Sequence, residues 1–120
     1  FQRHTIQWTM GKNFDKTGSF GPALVTPDEL PHGAVGLKIE CRLNGKTVQS
    51  SKTDMMIFPV VETLIYLTKA LTLEPGDLVV MGTPSGVGHA RKPPLWMKDG
   101  DLVEVEIEGI GVLANRVCSE

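Results

Sequence analysis

Between Leu37 and Leu43, Leu37, Ile39, Cys41 and Leu43 alternate with Lys38, Glu40 and Arg42. A period of two puts the two sets on opposite faces of an extended chain, so this stretch is a strand with one face covered and one in water. Asn44-Gly45 follows at once. Both residues tolerate the positive φ that a two-residue turn demands, so the chain returns through Lys46 to Ser51 as an antiparallel hairpin. The device recurs near the carboxy terminus. Asp99-Gly100-Asp101 turns the chain, Leu102 to Glu108 alternates strictly, and Gly109 to Gly111 reverses it into Val112 to Val117.

Elsewhere the signals differ. Pro59 suits the first turn of a helix, where its missing N–H is not needed. Val60, Val61, Leu64, Ile65, Leu67 and Leu71 then recur at helical spacing, which predicts a helix from about Phe58 to Leu71. Leu78 to Met81, between the Pro75-Gly76-Asp77 turn and Gly82, reads as a short strand buried on both faces. Met55, Met56, Ile57 and Phe58 read as core. Residues Phe1 to Pro31 carry Gly11, Gly18, Gly21, Pro22, Pro27 and Pro31 and keep neither period, so irregular backbone is expected there. These elements predict one domain over residues 1–120, mainly β (α+β), with a largely antiparallel sheet or sandwich and one main helix.

Composition narrows the partners. With 41% hydrophobic and 22% charged residues the chain suits a single core, and it is expected to bury roughly two-thirds of the surface it exposes when unfolded. Twelve Lys and Arg against fourteen Asp and Glu leave a formal charge of -2, so a nucleic-acid partner is not expected. No apolar run approaches the ~20 residues that span a bilayer, and the amino terminus lacks the pattern of a secretory signal. A cytoplasmic location without a membrane partner is expected. Cys41 and Cys118 have no CxxC spacing and read as reduced packing residues. The chain begins at Phe1 without a Met, which reads as a fragment or processed product of something longer.

Few residues offer chemistry. Lys12 lies between Trp8 and Phe14, and two readings stay open: an exposed lysine pairing with Asp15, or a desolvated one able to act as acid, base or clamp on a developing enolate. The loop Gly82-Thr83-Pro84-Ser85-Gly86-Val87-Gly88 could form an anion-binding nest. It does not suit nucleotides, because Gly-Lys-Ser/Thr is missing and Arg91 stands where a dinucleotide fingerprint needs its third glycine. A carboxylate held by backbone N–H groups and the Thr83 hydroxyl fits the loop, as does a plain tight turn. Glu104, Glu106 and Glu108 read as the solvent face of an amphipathic edge strand rather than a metal site. No serine sits in a nucleophile elbow, and His4, His32 and His89 lie far apart.

Gln7 to Asp15, Gly21-Pro22, Asp54 to Phe58, Leu73 to Asp77 and Gly82 to Gly88, in this order and spacing, resemble the fumarylacetoacetate hydrolase family over essentially the whole chain. The resemblance implies the carboxy-terminal portion of that family's catalytic domain, a mixed, largely antiparallel β-roll or sandwich with short helices. It also implies an Mg²⁺- or Mn²⁺-dependent enzyme, usually homodimeric, acting on a small 2-oxo or 1,3-dioxo acid. The reactions implied are acylpyruvate-type C–C hydrolysis, decarboxylation, and isomerisation or hydration of related enols. The alternative is a non-catalytic β-rich fragment or dimerisation module. By the same resemblance Lys12 stabilises enolate charge or moves a proton, Gln2 contacts substrate or metal-bound water, and Thr83 with the N–H groups around Gly82 holds a substrate carboxylate or carbonyl. The family's metal ligands, a Glu-x-Glu pair and an aspartate, lie upstream of the segment matching Gln2, so the resemblance assigns no metal ligand to this chain. Glu104-x-Glu106 matches a carboxy-terminal strand with no ligand role.

Overall fold

In the structure, a computed structural model that describes His4 and residues 6–119, the alternating stretch forms β1 (Lys38–Leu43) and its return forms β2 (Lys46–Lys52). Asn44 and Gly45 both take positive φ, 50° and 76°, giving the turn whose twist matches that of the strands it joins. β3 (Leu102–Ile107) and β4 (Gly111–Arg116) form the second hairpin. The four strands make one antiparallel sheet in the order β2-β1-β3-β4. Asn44 ties the hairpins together: its Nδ2 donates to Asp101 Oδ1 at 2.8 Å, and its Oδ1 accepts from the Leu102 N–H at 2.8 Å.

Register decides which side chains share a face. Ile39 stands opposite Ile107, Cys41 opposite Val105 and Leu43 opposite Val103, so one face is apolar. Arg42 stands opposite Glu104 and Glu40 opposite Glu106, so the other is charged. The glutamates of β3 therefore lie on an interior strand, not on the edge strand expected from their alternation; β2 and β4 are the edges. The cause is charge pairing across β1. Arg42 lies 2.6 Å from Glu106, 3.4 Å from Glu40 and 3.6 Å from Glu104, and it occupies the centre of the carboxylates instead of a metal. A cleft of about 390 Å³ opens on this face, lined by Lys38, Glu40, Arg42, Glu106 and Glu108 among others.

The cluster makes stability depend on pH. Lys38 Nζ at 2.7 Å and the Thr47 hydroxyl at 3.0 Å hold the Glu40 carboxyl below the usual carboxylate range. A carboxyl depressed in the folded state lends stability above its unfolded pKa and loses it as pH falls through the folded one. Glu40→Gln in the protein carrying this chain is therefore expected to lower the thermal midpoint slightly at neutral pH. The gap should close below about pH 4, because a pair whose lysine is open to solvent contributes little and only while ionised. A gap between variant and wild type that persisted undiminished at acid pH would contradict the assignment.

Several expectations are corrected. The main helix is shorter than its apolar spacing predicts: α2 covers Val60–Leu67, with Pro59 as its cap and Phe58 outside it. A four-residue helix that no period announced, α1 (Thr9–Lys12), breaks the irregular amino-terminal segment. Leu78 to Met81 joins no ladder among the described residues, and Val80 is 82% exposed. Met55, Ile57 and Phe58 are exposed instead of forming a core, Ile57 by 88%. The reason is common to the exposed segments: among the described residues the sheet strands are the elements that pack extensively on one another, and no described element packs extensively on α2 to cover it. Leu37, 5% exposed, is the one described residue that is buried. Cys118 is exposed and does not pack, whereas half-buried Cys41 has its thiol pushed up by burial. No described helix is long and apolar enough to cross a membrane.

Candidate active-site loop

The glycine-rich loop is held against the edge of β2 by side chains that neither strand period nor motif singled out. The cause is a bulge. Cys41 pairs with Gln49 but Arg42 with Thr47, leaving Val48 as the extra residue of β2. The bulge turns Gln49 toward the loop, where its Nε2 donates to the Pro84 carbonyl at 2.6 Å and to Thr83 Oγ1 at 2.9 Å. Arg91 closes the other end. Its Nε donates to the Gly86 carbonyl at 2.9 Å, and its guanidinium also donates to the Val48 carbonyl.

Two glycines make this docking sterically feasible. Gly86 has φ of 106°, and a Cβ there would overlap the Val48 carbonyl oxygen. At Gly88 a Cβ would overlap the Leu95 carbonyl oxygen, while the Gly88 carbonyl accepts from the Leu95 N–H at 3.0 Å. The loop is thus clamped from both sides, a more constrained object than a plain turn. Beneath it an apolar cleft of about 370 Å³ is bounded by Cys41, Leu43, Gln49, Val87, His89 and Trp96. His89 and Trp96 pack there with ring centroids 5.9 Å apart.

Thr83 and Gly82 sit exposed at the start of this loop. Lys12 is exposed at the end of α1, whose carboxy-terminal turn is closed by Asn13 Nδ2 donating to the Thr9 carbonyl at 2.6 Å. Trp8 and Phe14 are 54% and 52% exposed, so within this chain they do not desolvate the lysine. No described ion pair joins Lys12 to Asp15, and no described hydrogen bond joins Lys12 to Thr83. Gln2 lies outside the described residues. Among the described residues no group of three or more His, Cys, Asp or Glu side chains is placed to hold a metal ion. The described residues therefore do not by themselves make a metal centre.

Residues 1–118 match the profile of the family described as fumarylacetoacetate (FAA) hydrolase, C-terminal. The chain belongs to the fumarylacetoacetate hydrolase family. Among its relatives is the oxaloacetate tautomerase Fahd2a, mitochondrial, of Rattus norvegicus, 48% identical over 117 residues, which cover 96% of this chain and 36% of the relative. The fumarylacetoacetate hydrolase from psychrophilic Exiguobacterium antarcticum superimposes with a TM-score of 0.93 at 41% identity, over 99% of this chain and 42% of the other. A fumarylpyruvate hydrolase from Pseudomonas aeruginosa, solved in complex with Mn²⁺ and pyruvate, matches with a TM-score of 0.63 at 36% identity, over 71% of this chain and 34% of the other. The family chain described here therefore spans well under half the length of these relatives, and its antiparallel sheet with few helices is the family's carboxy-terminal fold.

Proposed function

We propose that the protein carrying this chain is an enzyme that moves a proton between C3 and the C2 carbonyl oxygen of a 2-oxo acid, with oxaloacetate-type dicarboxylates as its substrate class. The observation that carries the reading is the clamped loop, which holds the Thr83 hydroxyl in place at an exposed position where a carboxylate or carbonyl oxygen can meet it. The reaction is supported by the likeness to the rat oxaloacetate tautomerase. Tautomerisation balances without a co-reactant: C3 loses a proton, the C2 oxygen becomes an enolate and then takes a proton. In this reading Lys12 offsets the enolate charge, Thr83 and the N–H groups beside Gly82 hold the substrate's acid end, and Gln2 contacts the substrate.

C–C hydrolysis of an acylpyruvate passes through the same enolate. It is the second reading, favoured by the match to a fumarylpyruvate hydrolase. Dependence on Mg²⁺ or Mn²⁺ held outside the described residues belongs to the proposal, supported by the Mn²⁺ in that relative's structure. Cytoplasmic residence and a homodimeric assembly belong to it too. The test follows the ultraviolet absorbance of the oxaloacetate enol with each metal ion and with a chelator. Acceleration of keto–enol exchange that the chelator abolishes is the expected result. No acceleration of that exchange, and none of acylpyruvate cleavage, would sink the proposal.

A further inference from the structure

The Gln49 amide has a fixed orientation. A carbonyl can only accept, so the end of the amide 2.6 Å from the Pro84 oxygen is the NH₂ group. The same nitrogen lies 2.9 Å from Thr83 Oγ1 and turns its second N–H to it. A threonine hydroxyl has one proton and two lone pairs. With a lone pair committed to Gln49, its proton must point away from the amide, toward the open side of the loop where Thr83 is exposed. Among the described residues no protein group accepts that proton.

We infer that Gln49 is a positioning residue that makes Thr83 an obligate donor to a ligand oxygen. The inference rests on the reading of Thr83 as a substrate contact and goes beyond it, because it names the group that dictates which way the hydroxyl points. Gln49 suits the task for reasons of fold. It projects from a strand, is anchored a second time on Pro84, and donates to a loop that Arg91 holds at the far end. The ligand selected is an anion with an sp² oxygen, a carboxylate or an enolate, and a ligand that must itself donate at this point is disfavoured.

Glutamate at position 49 separates positioning from packing, because it keeps the shape and reverses the polarity. A carboxylate there would accept the Thr83 proton, withdraw it from the ligand and add a like charge nearby. Methionine of similar length only removes the donor and lets the hydroxyl rotate. The experiment uses the protein carrying this chain, with oxalate, a planar dianion resembling the enolate of a 2-oxo acid, titrated calorimetrically in the presence of Mg²⁺. Wild type is expected to bind oxalate. Gln49→Glu should weaken binding by about 30-fold or more and Gln49→Met by about 3- to 10-fold. Thermal midpoints should remain close to wild type for Gln49→Met.

In a Thr83→Val background the extra loss caused by Gln49→Glu over Gln49→Met should shrink several-fold, since no proton is left to withdraw. Equal losses for the two variants, an undiminished glutamate effect in the Thr83→Val background, or absence of oxalate binding by wild type would each overturn the inference. Turnover reports separately. If the ranking holds for oxalate while no 2-oxo acid is converted, the positioning role stands and the proposed reaction falls.

Discussion

Lys12→Ala in the protein carrying this chain is expected to lower kcat for 2-oxo acid tautomerisation by about 10²- to 10⁴-fold, while metal affinity changes little. The size follows from when the charge appears. The carbonyl oxygen of the bound substrate is neutral and becomes an enolate only as the C3 proton leaves, so a cation beside it stabilises the transition state more than the ground state. Loss of such a group shows in kcat, with KM moving less. In the proposed reading Lys12 acts as an electrostatic clamp on that charge. An electrostatic clamp needs only the ammonium group. Lys12→Arg should therefore retain more activity than Lys12→Ala, falling short of wild type because a planar fork does not replace a compact charge. Turnover unchanged in Lys12→Ala would remove the residue from the site.

The 120 residues expressed by themselves are expected to bind a hydrophobic dye strongly and to unfold over a broad range without a cooperative transition. The surface area carries the argument. A self-sufficient domain of this length exposes ~6,400 Å² and has a radius of gyration of ~13.6 Å. This chain exposes 10100 Å² with a radius of 15.8 Å. The expectation that two-thirds of the unfolded surface would be buried fails, and the fraction is nearer one-half. Much of the excess is apolar: Phe58, Val61, Ile65, Tyr66, Leu78 and Val80 are all mostly exposed. At ~25 cal/mol per Å² of apolar surface, even a quarter of that excess withheld from water outweighs the net stability of an ordinary small domain. Calorimetry and dye fluorescence check this. A sharp two-state transition from a monomer that binds no dye would show that the sheet alone sustains the fold.

Much of the sheet could be read from the chain because the information is local. Alternation assigns Cys41 and Arg42 to opposite faces, and Asn44-Gly45 can reverse the chain in two residues since both accept positive φ. The same locality misled elsewhere. Val79 and Val80 carry the β-branched signature of a buried strand, yet a strand exists only where a neighbour supplies its ladder, and none of the described residues does so. Thr83 and Gly82 were visible through the clustering of glycines, whereas Gln49 and Arg91 gave no signal, as an isolated glutamine or arginine occurs on any solvated surface.

What the sequence alone determined, then, is the pair of hairpins, the two-sided character of the sheet and the irregular, glycine-rich character of the 82–88 loop. The packed chain decided which residues hold that loop. Unbroken pairing from the Asn44-Gly45 turn would set Gln49 opposite Glu40 on the charged face; the bulge at Val48 moves it opposite Cys41 and turns its amide to Thr83. One inserted residue inverts every side chain beyond it, and whether it is inserted depends on contacts such as that of Arg91 with the Val48 carbonyl, made by residues 43 positions apart.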